Sequence, residues 1–313
     1  MNKVNKTTRS PLACTRPIFS AIFFMIFKVG VLIGWLVGLI ACTPISQYQI
    51  PLSTQKVINQ AEAHHFKHRN YRTSYFDFTA WEKLQSSPQD NQVNTQMNTT
   101  HIYIEGDGNS WKTKYELSDN PTPKQPLALK LAIQDKYPHV IYLARPCQYL
   151  LSPSKNCEAK YWSSHRYSET VVNSLNEVLT QIKIQYPTTK FVLIGFSGGG
   201  TLAALLSSKR TDIAGLITVA GNLDHIALGN YHKVSPLKGS LNPIDYADEL
   251  RAIPQRHFVG ANDETVPPWV AEHYAHNLQS DCVAVDVKLH YSHHKGWEKN
   301  WPELIQQPLP CAT

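Results

Sequence analysis

Apolar and polar positions alternate with changing period along this chain, and the change of period predicts its elements. Residues 101–104, 140–144, 191–194, 213–219, 257–259 and 283–289 are short apolar runs, several of them stopped by Gly, Pro or Asp, which is how strands read. Phe191-Val192-Leu193-Ile194 has no polar break, as expected of a strand buried on both faces. Between these runs the period lengthens. Val171, Leu175, Val178 and Ile182 recur at helical spacing behind Ser168, a good N-cap, with Glu169 in the first turn and Pro187 beyond the end. Further helices are expected near residues 127–133, 199–208, 268–278 and 297–305. Residues 75–81 alternate aromatics and predict an early strand, whereas residues 86–100, rich in Ser, Gln, Asn and Asp, predict a loop.

Strands that alternate with helices imply an α/β fold, a mostly parallel central sheet with helices on both faces. In such sheets chemistry gathers at the carboxyl ends of the strands. The loops at Gly106, Arg145, Ser197, Asn222, Asn262 and His293 are therefore expected to crowd together. No internal repeat is visible. Residues 222–246 are long enough to form a small wall over that end.

The amino-terminal pattern is different. Residues 18–27 and 29–41 are apolar runs separated by Lys28 and preceded by Lys3, Lys6, Arg9 and Arg16. A basic flank, an apolar stretch and small residues describe an export signal. The ending Leu39-Ile40-Ala41-Cys42 resembles a bacterial lipobox, which implies lipidation of Cys42 as the first mature residue. The alternative is an uncleaved membrane anchor over residues 18–41 that tolerates Lys28. Either places the remainder outside the cytoplasm, membrane-anchored in the bacterial periplasm or outer membrane. The chain thus divides into an export segment (1–42), a polar, proline-containing tether (43–60) and one domain (61–313). The whole chain, with 313 residues and 42% apolar content, is long enough for one large core or at most two small domains. Much of the net charge of +6 lies before residue 30, and no basic run is interleaved with aromatics, so nucleic-acid binding is not indicated.

Export changes the reading of the cysteines. Apart from Cys14 and Cys42, Cys147, Cys157, Cys282 and Cys311 remain, and an even set in an oxidising compartment reads as disulfides. Of the three possible pairings, Cys147 with Cys157, which would close a short loop, and Cys282 with Cys311, which would pin the tail to a late strand, are the favoured set; buried free thiols are the alternative. No CxxC spacing suggests metal binding.

Gly195-Phe196-Ser197-Gly198-Gly199 fits G-x-S-x-G between a buried strand and a helix. That context exposes a serine hydroxyl on a sharp turn, beside the positive end of a helix. A nucleophilic hydroxyl needs a base, and the base needs an orienting acid. Asp263 lies past a strand in Gly260-Ala261-Asn262-Asp263-Glu264-Thr265-Val266-Pro267, and His293 and His294 follow the last expected strand in His290-Tyr291-Ser292-His293-His294-Lys295-Gly296-Trp297. These motifs and their order resemble the α/β-hydrolase superfamily over residues 65–310: its nucleophile elbow, its Gly-x-x-Asp-x-x-Val-Pro turn, and its histidine loop. The resemblance implies Ser197 as nucleophile, Asp263 as acid and His293 or His294 as base, with His293 favoured by its spacing from Trp297. Asp224 is the alternative acid, with His225 beside it as the alternative base. A zinc site from the three histidines is a rival that explains neither Ser197 nor Asp263.

The resemblance also implies two backbone donors for an oxyanion, Gly198 N–H and one from Asp107 or Gly108. Arg145 through Tyr149 either lines the pocket or shapes a disulfide-bonded loop. The expectation is a serine esterase or related acyl hydrolase acting on a small-molecule or lipid-like acyl substrate, without metal or cofactor. Peptidase or thioesterase chemistry on the same triad, or a non-catalytic binding lipoprotein of this fold, are the alternatives.

Overall fold

A computed structural model describes residues 50–84, 99–150, 155–187 and 189–311. The export segment, Cys42 and most of the 86–100 loop lie outside the described residues. Eight strands form one sheet: β1 (Lys67–Arg72), β2 (Asp77–Leu84), β3 (Thr99–Ile104), β4 (His139–Leu143), β5 (Lys190–Phe196), β6 (Ile213–Val219), β7 (Gln255–Gly260) and β8 (Val283–Lys288). Their order is β1-β2-β4-β3-β5-β6-β7-β8. β2 runs antiparallel to β1 and β4, and every pairing from β4 onward is parallel.

Helices α1 (Leu52–Ala63), α2 (Leu127–Gln134), α3 (Glu169–Gln185), α4 (Gly198–Ser207), α5 (His225–His232), α6 (Ala247–Leu250), α7 (Trp269–Leu278) and α8 (Trp297–Leu304) complete the domain. The period of two along each strand divides the core. Ile102, Ile104, Ile141, Leu143, Leu193 and Leu216 face one side, where the apolar stripe of α3, the wholly buried α4 and part of α7 cover them. Tyr103, Val140, Tyr142, Val192, Ile194 and Ile217 face the other, under α1, α2 and α8.

Three local expectations change. Residues 52–60, read as tether, belong to α1, which packs Val57, Ile58 and Ala61 into the core. β1 is an additional edge strand whose sequence, Lys-His-Arg-Asn-Tyr-Arg, buries only Tyr71. Ser168 occupies the N-cap position of α3 but its side chain makes no capping bond, and its hydroxyl is buried without a partner. Both expected disulfides are present, Cys147–Cys157 and Cys282–Cys311, with Cα separations of 5.5 and 5.0 Å. Among the described residues no helix is long and apolar enough to cross a membrane.

The strand order fixes where a site can form. From β3 the chain moves outward to β4, then returns to place β5 on the other side of β3. Successive connections thus leave β3 and β5 in opposite directions and open a crevice at their carboxyl ends. The loop after β3 and the turn after β5 meet there.

Candidate active site

Ser197 sits between β5 and α4 with φ 51° and ψ −120°, a backbone conformation that costs a non-glycine residue energy and persists only where its surroundings enforce it. The enforcement is visible. Ser197 N–H donates to Val219 O at 2.9 Å, while Ser197 O accepts from Gly200 N–H at 2.9 Å and Asn222 N–H at 3.1 Å. α4 packs so closely on β3 that a Cβ at Gly199 would lie 2.2 Å from Ile104 O. The turn therefore lifts the Ser197 hydroxyl above the sheet while holding its main chain on three sides.

His293 comes to this hydroxyl from the loop after β8. Its Nε2 lies 3.0 Å from Ser197 Oγ and its Nδ1 2.8 Å from Asp263 Oδ2. An ionised carboxylate only accepts, so Nδ1 carries the proton and Nε2 accepts from the serine. Asp263 is 3% exposed. Its other oxygen accepts from Thr265 N–H at 2.9 Å and Val266 N–H at 2.8 Å. These two bonds orient the acid before it orients the histidine. Trp297, buried at the start of α8, donates through Nε1 to Ser292 O at 2.8 Å and His293 O at 3.2 Å. The spacing between His293 and Trp297 thus has a structural cause: the indole closes the loop that carries the imidazole.

No family model matches the chain, and no curated protein matches it by sequence. Solved structures do. An α/β serine hydrolase homologue from Coxiella burnetii is 16% identical with a TM-score of 0.51, over 76% of this chain and 93% of that one. An esterase from Pyrococcus furiosus is 13% identical with a TM-score of 0.53, over 78% of this chain and 90% of that one. The acylaminoacyl peptidase of Pyrococcus horikoshii is 13% identical with a TM-score of 0.53, over 79% of this chain but 42% of that longer one. The chain has the α/β-hydrolase fold. At these identities the likeness concerns the fold alone, and it extends to esterases and peptidases alike.

On this α/β-hydrolase scaffold the remaining candidates separate. His294 is exposed, tilts against Phe196 at 5.2 Å between ring centres, and reaches neither Ser197 nor Asp263 by hydrogen bond. Partial desolvation and the neighbouring His293 lower its basicity. His290 lies past the end of β8, in a turn with φ 65°. Asp224, the alternative acid, caps α5 instead, accepting from Ile226 and Ala227 N–H and from Asn242 Nδ2 at 2.9 Å. His225, the alternative base, has its Nε2 3.1 Å from Leu241 O. Among the described residues no cluster of three His, Cys, Asp or Glu could hold a metal ion.

Gly198 opens α4, so its N–H has no acceptor within the helix. Across the crevice, Asp107 and Gly108 line the same cavity as Ser197 and His293. Among the described residues neither N–H donates to a protein acceptor. The loop that carries them is held from both sides. Behind it, Glu105 is 1% exposed and accepts from Gly106 N–H at 2.9 Å, Tyr142 hydroxyl at 3.0 Å and the backbone of Ala128 and Leu129 at the start of α2. Burial pushes its carboxyl up to about 7 against these bonds. In front, the Asp107 carboxylate meets the guanidinium groups of Arg145 and Arg166, and accepts from Tyr167 hydroxyl at 3.0 Å. Burial would raise its carboxyl, but the two cations outweigh this and hold it well below the usual carboxylate range.

Arg145 therefore braces the loop, and the two residues after it begin the segment clamped by Cys147–Cys157. Arg166 and Tyr167 were not expected as part of the site. Arg166 is 59 positions from Asp107, and no local pattern in the sequence joins them.

Proposed function

We propose that this chain is a serine hydrolase that cleaves carboxylic esters through Ser197, His293 and Asp263. One observation carries the reading: a hydroxyl raised on a strained turn stands in a continuous hydrogen-bonded line with a histidine and a buried carboxylate. Ser197 Oγ attacks the carbonyl carbon and His293 Nε2 takes its proton. Asp263 holds the imidazole in the correct tautomer and stabilises the imidazolium. The tetrahedral oxyanion is stabilised by Gly198 N–H and by Asp107 or Gly108 N–H, aided by the positive end of α4. Collapse transfers the proton from His293 to the leaving alcohol. A water activated by the same histidine then releases the acid.

The Cys147–Cys157 and Cys282–Cys311 bridges support the companion proposal that the protein is exported, tethered to a bacterial membrane through lipidated Cys42. Replacement of Cys42 by serine should then release or mislocalise the protein. The test of function is hydrolysis of short p-nitrophenyl esters by wild type and Ser197→Ala. Loss of the nucleophile should reduce kcat by roughly 10⁶. Retained turnover in the variant removes Ser197 from the reaction.

A further inference from the structure

Two guanidinium groups converge on one carboxylate beside the nucleophile, and each uses two of its three nitrogens in hydrogen bonds. Arg145 is buried, pairs with Asp107 through Nη1 and donates from Nη2 to Arg166 O at 2.9 Å. Arg166 donates from Nε to Ser163 O at 2.7 Å and pairs with Asp107 through Nη1. Its Nη2 donates to no acceptor among the described residues, and its side chain keeps 14% exposure. Arg166 lines a cavity of about 610 Å³ that begins at Ser197 and Asp107 and runs under α5. The Asp107 carboxylate itself is pressed against the nucleophile turn: a Cβ at Gly198 would lie 2.1 Å from Asp107 Oδ1.

The charges do not cancel. Arg145, Arg166 and Asp107 leave one positive charge in excess at a half-buried site, where it is poorly screened. The start of α4 adds to the same sign. Glu264 is the other acid lining this cavity, but it is exposed, so solvent weakens its field. His225, also in the lining, is buried with Nε2 directed at Leu241 O and Nδ1 without a partner; burial lowers its basicity, so it adds no charge. The remaining walls include Leu228, Val234, Leu237 and Val266, apolar groups that accept a carbon chain.

We infer that this cavity binds a carboxylate of the substrate on Arg166, so that the protein acts on esters carrying a second, ionised carboxyl group on the arm that enters beneath α5. The inference rests on the serine-hydrolase reading and narrows it to a substrate class. A guanidinium with an unused N–H, fixed in orientation by its other two bonds, presents a directed charge-assisted donor at no further ordering cost.

The test compares two matched ester pairs with the full-length wild-type chain. In one, the charge is on the acyl arm: p-nitrophenyl hydrogen glutarate against p-nitrophenyl valerate. In the other it is on the alcohol arm: 4-acetoxybenzoate against 4-acetoxybenzamide. In one of the pairs the anionic ester should have the higher kcat/KM by at least about tenfold, through KM, as expected for a hydrogen bond to a charged group. The Arg166→Gln ratio should fall to about one or below, and Arg166→Lys should recover part of it. Reading ratios removes any shared loss caused by disturbing Asp107. If wild type hydrolyses the neutral esters and favours neither anionic partner, the inference is overturned while the hydrolase reading stands. If no ester of either kind is hydrolysed, both fall.

Discussion

Glu105 offers a prediction whose sign and size follow from its surroundings. The side chain is buried under the loop after β3, in contact with Tyr142, Gly106 N–H and the first turn of α2. Burial raises its carboxyl from an ordinary 4.5 to about 7, despite the hydrogen bonds that favour the ion. The folded state therefore keeps a proton that the unfolded chain releases. Stability from this group is complete below about pH 4.5 and is lost as pH rises through about 7. The total is roughly 3 kcal/mol, about 2 of it between pH 5.5 and 8.5. Glu105→Gln removes the titration. It keeps an acceptor for Gly106 N–H and places an amide where the proton was. Denaturant unfolding of wild type and variant across this pH range measures the effect. The difference in stability between them should shift in favour of the variant by about 2 kcal/mol on going to alkaline pH. Any constant offset reports only the cost of the amide in that site. Parallel curves would refute the reasoning, because they would mean that Glu105 titrates alike in both states.

Other expectations follow from the site and the staples. Asp263→Asn should lower ester-hydrolysis kcat by about 10⁴, because the amide no longer selects the tautomer with a proton on Nδ1. His293→Ala should remove several orders of magnitude, whereas His294→Ala should change kcat by less than about tenfold; equal losses would mean that the two rings exchange roles. Reduction of the native protein should lower its unfolding free energy by roughly 2–4 kcal/mol for each bridge that opens. Peptide mapping without reductant should recover Cys147 joined to Cys157 and Cys282 joined to Cys311, and any other pairing would contradict the fold described.

The parts of this molecule that are legible in its sequence are those where a local pattern decides the structure. β5 and β6 are continuous apolar runs because both faces of a central strand are buried, and the stripe on α3 is spaced as a helix on a sheet must be. Ser197, Asp263 and His293 each follow such an element, so their placement at one end of the sheet can be read from the order of strands. β1 escapes because it is an edge strand with one buried side chain, and its charged residues carry no alternation. α1 escapes because its first turn is mostly polar and turns a threonine, Thr54, inward rather than an apolar residue. The choice between His293 and His294 depends on which ring the Trp297-closed loop turns inward, which the sequence signals only through the spacing of His293 from Trp297. The pairing of Arg166 with Asp107 joins two loops through tertiary packing alone. Charge partners of this kind become visible only once the chain is folded.

The central claim is that Ser197 is an activated nucleophile, its proton held by His293. Treatment of the full-length protein with a fluorophosphonate, followed by peptide mass mapping, tests it without any assumption about substrate. A single phosphonyl adduct on Ser197 is expected, absent in Ser197→Ala and strongly slowed in His293→Ala. An unlabelled wild-type protein, or an adduct that persists when Ser197 is replaced, would contradict it.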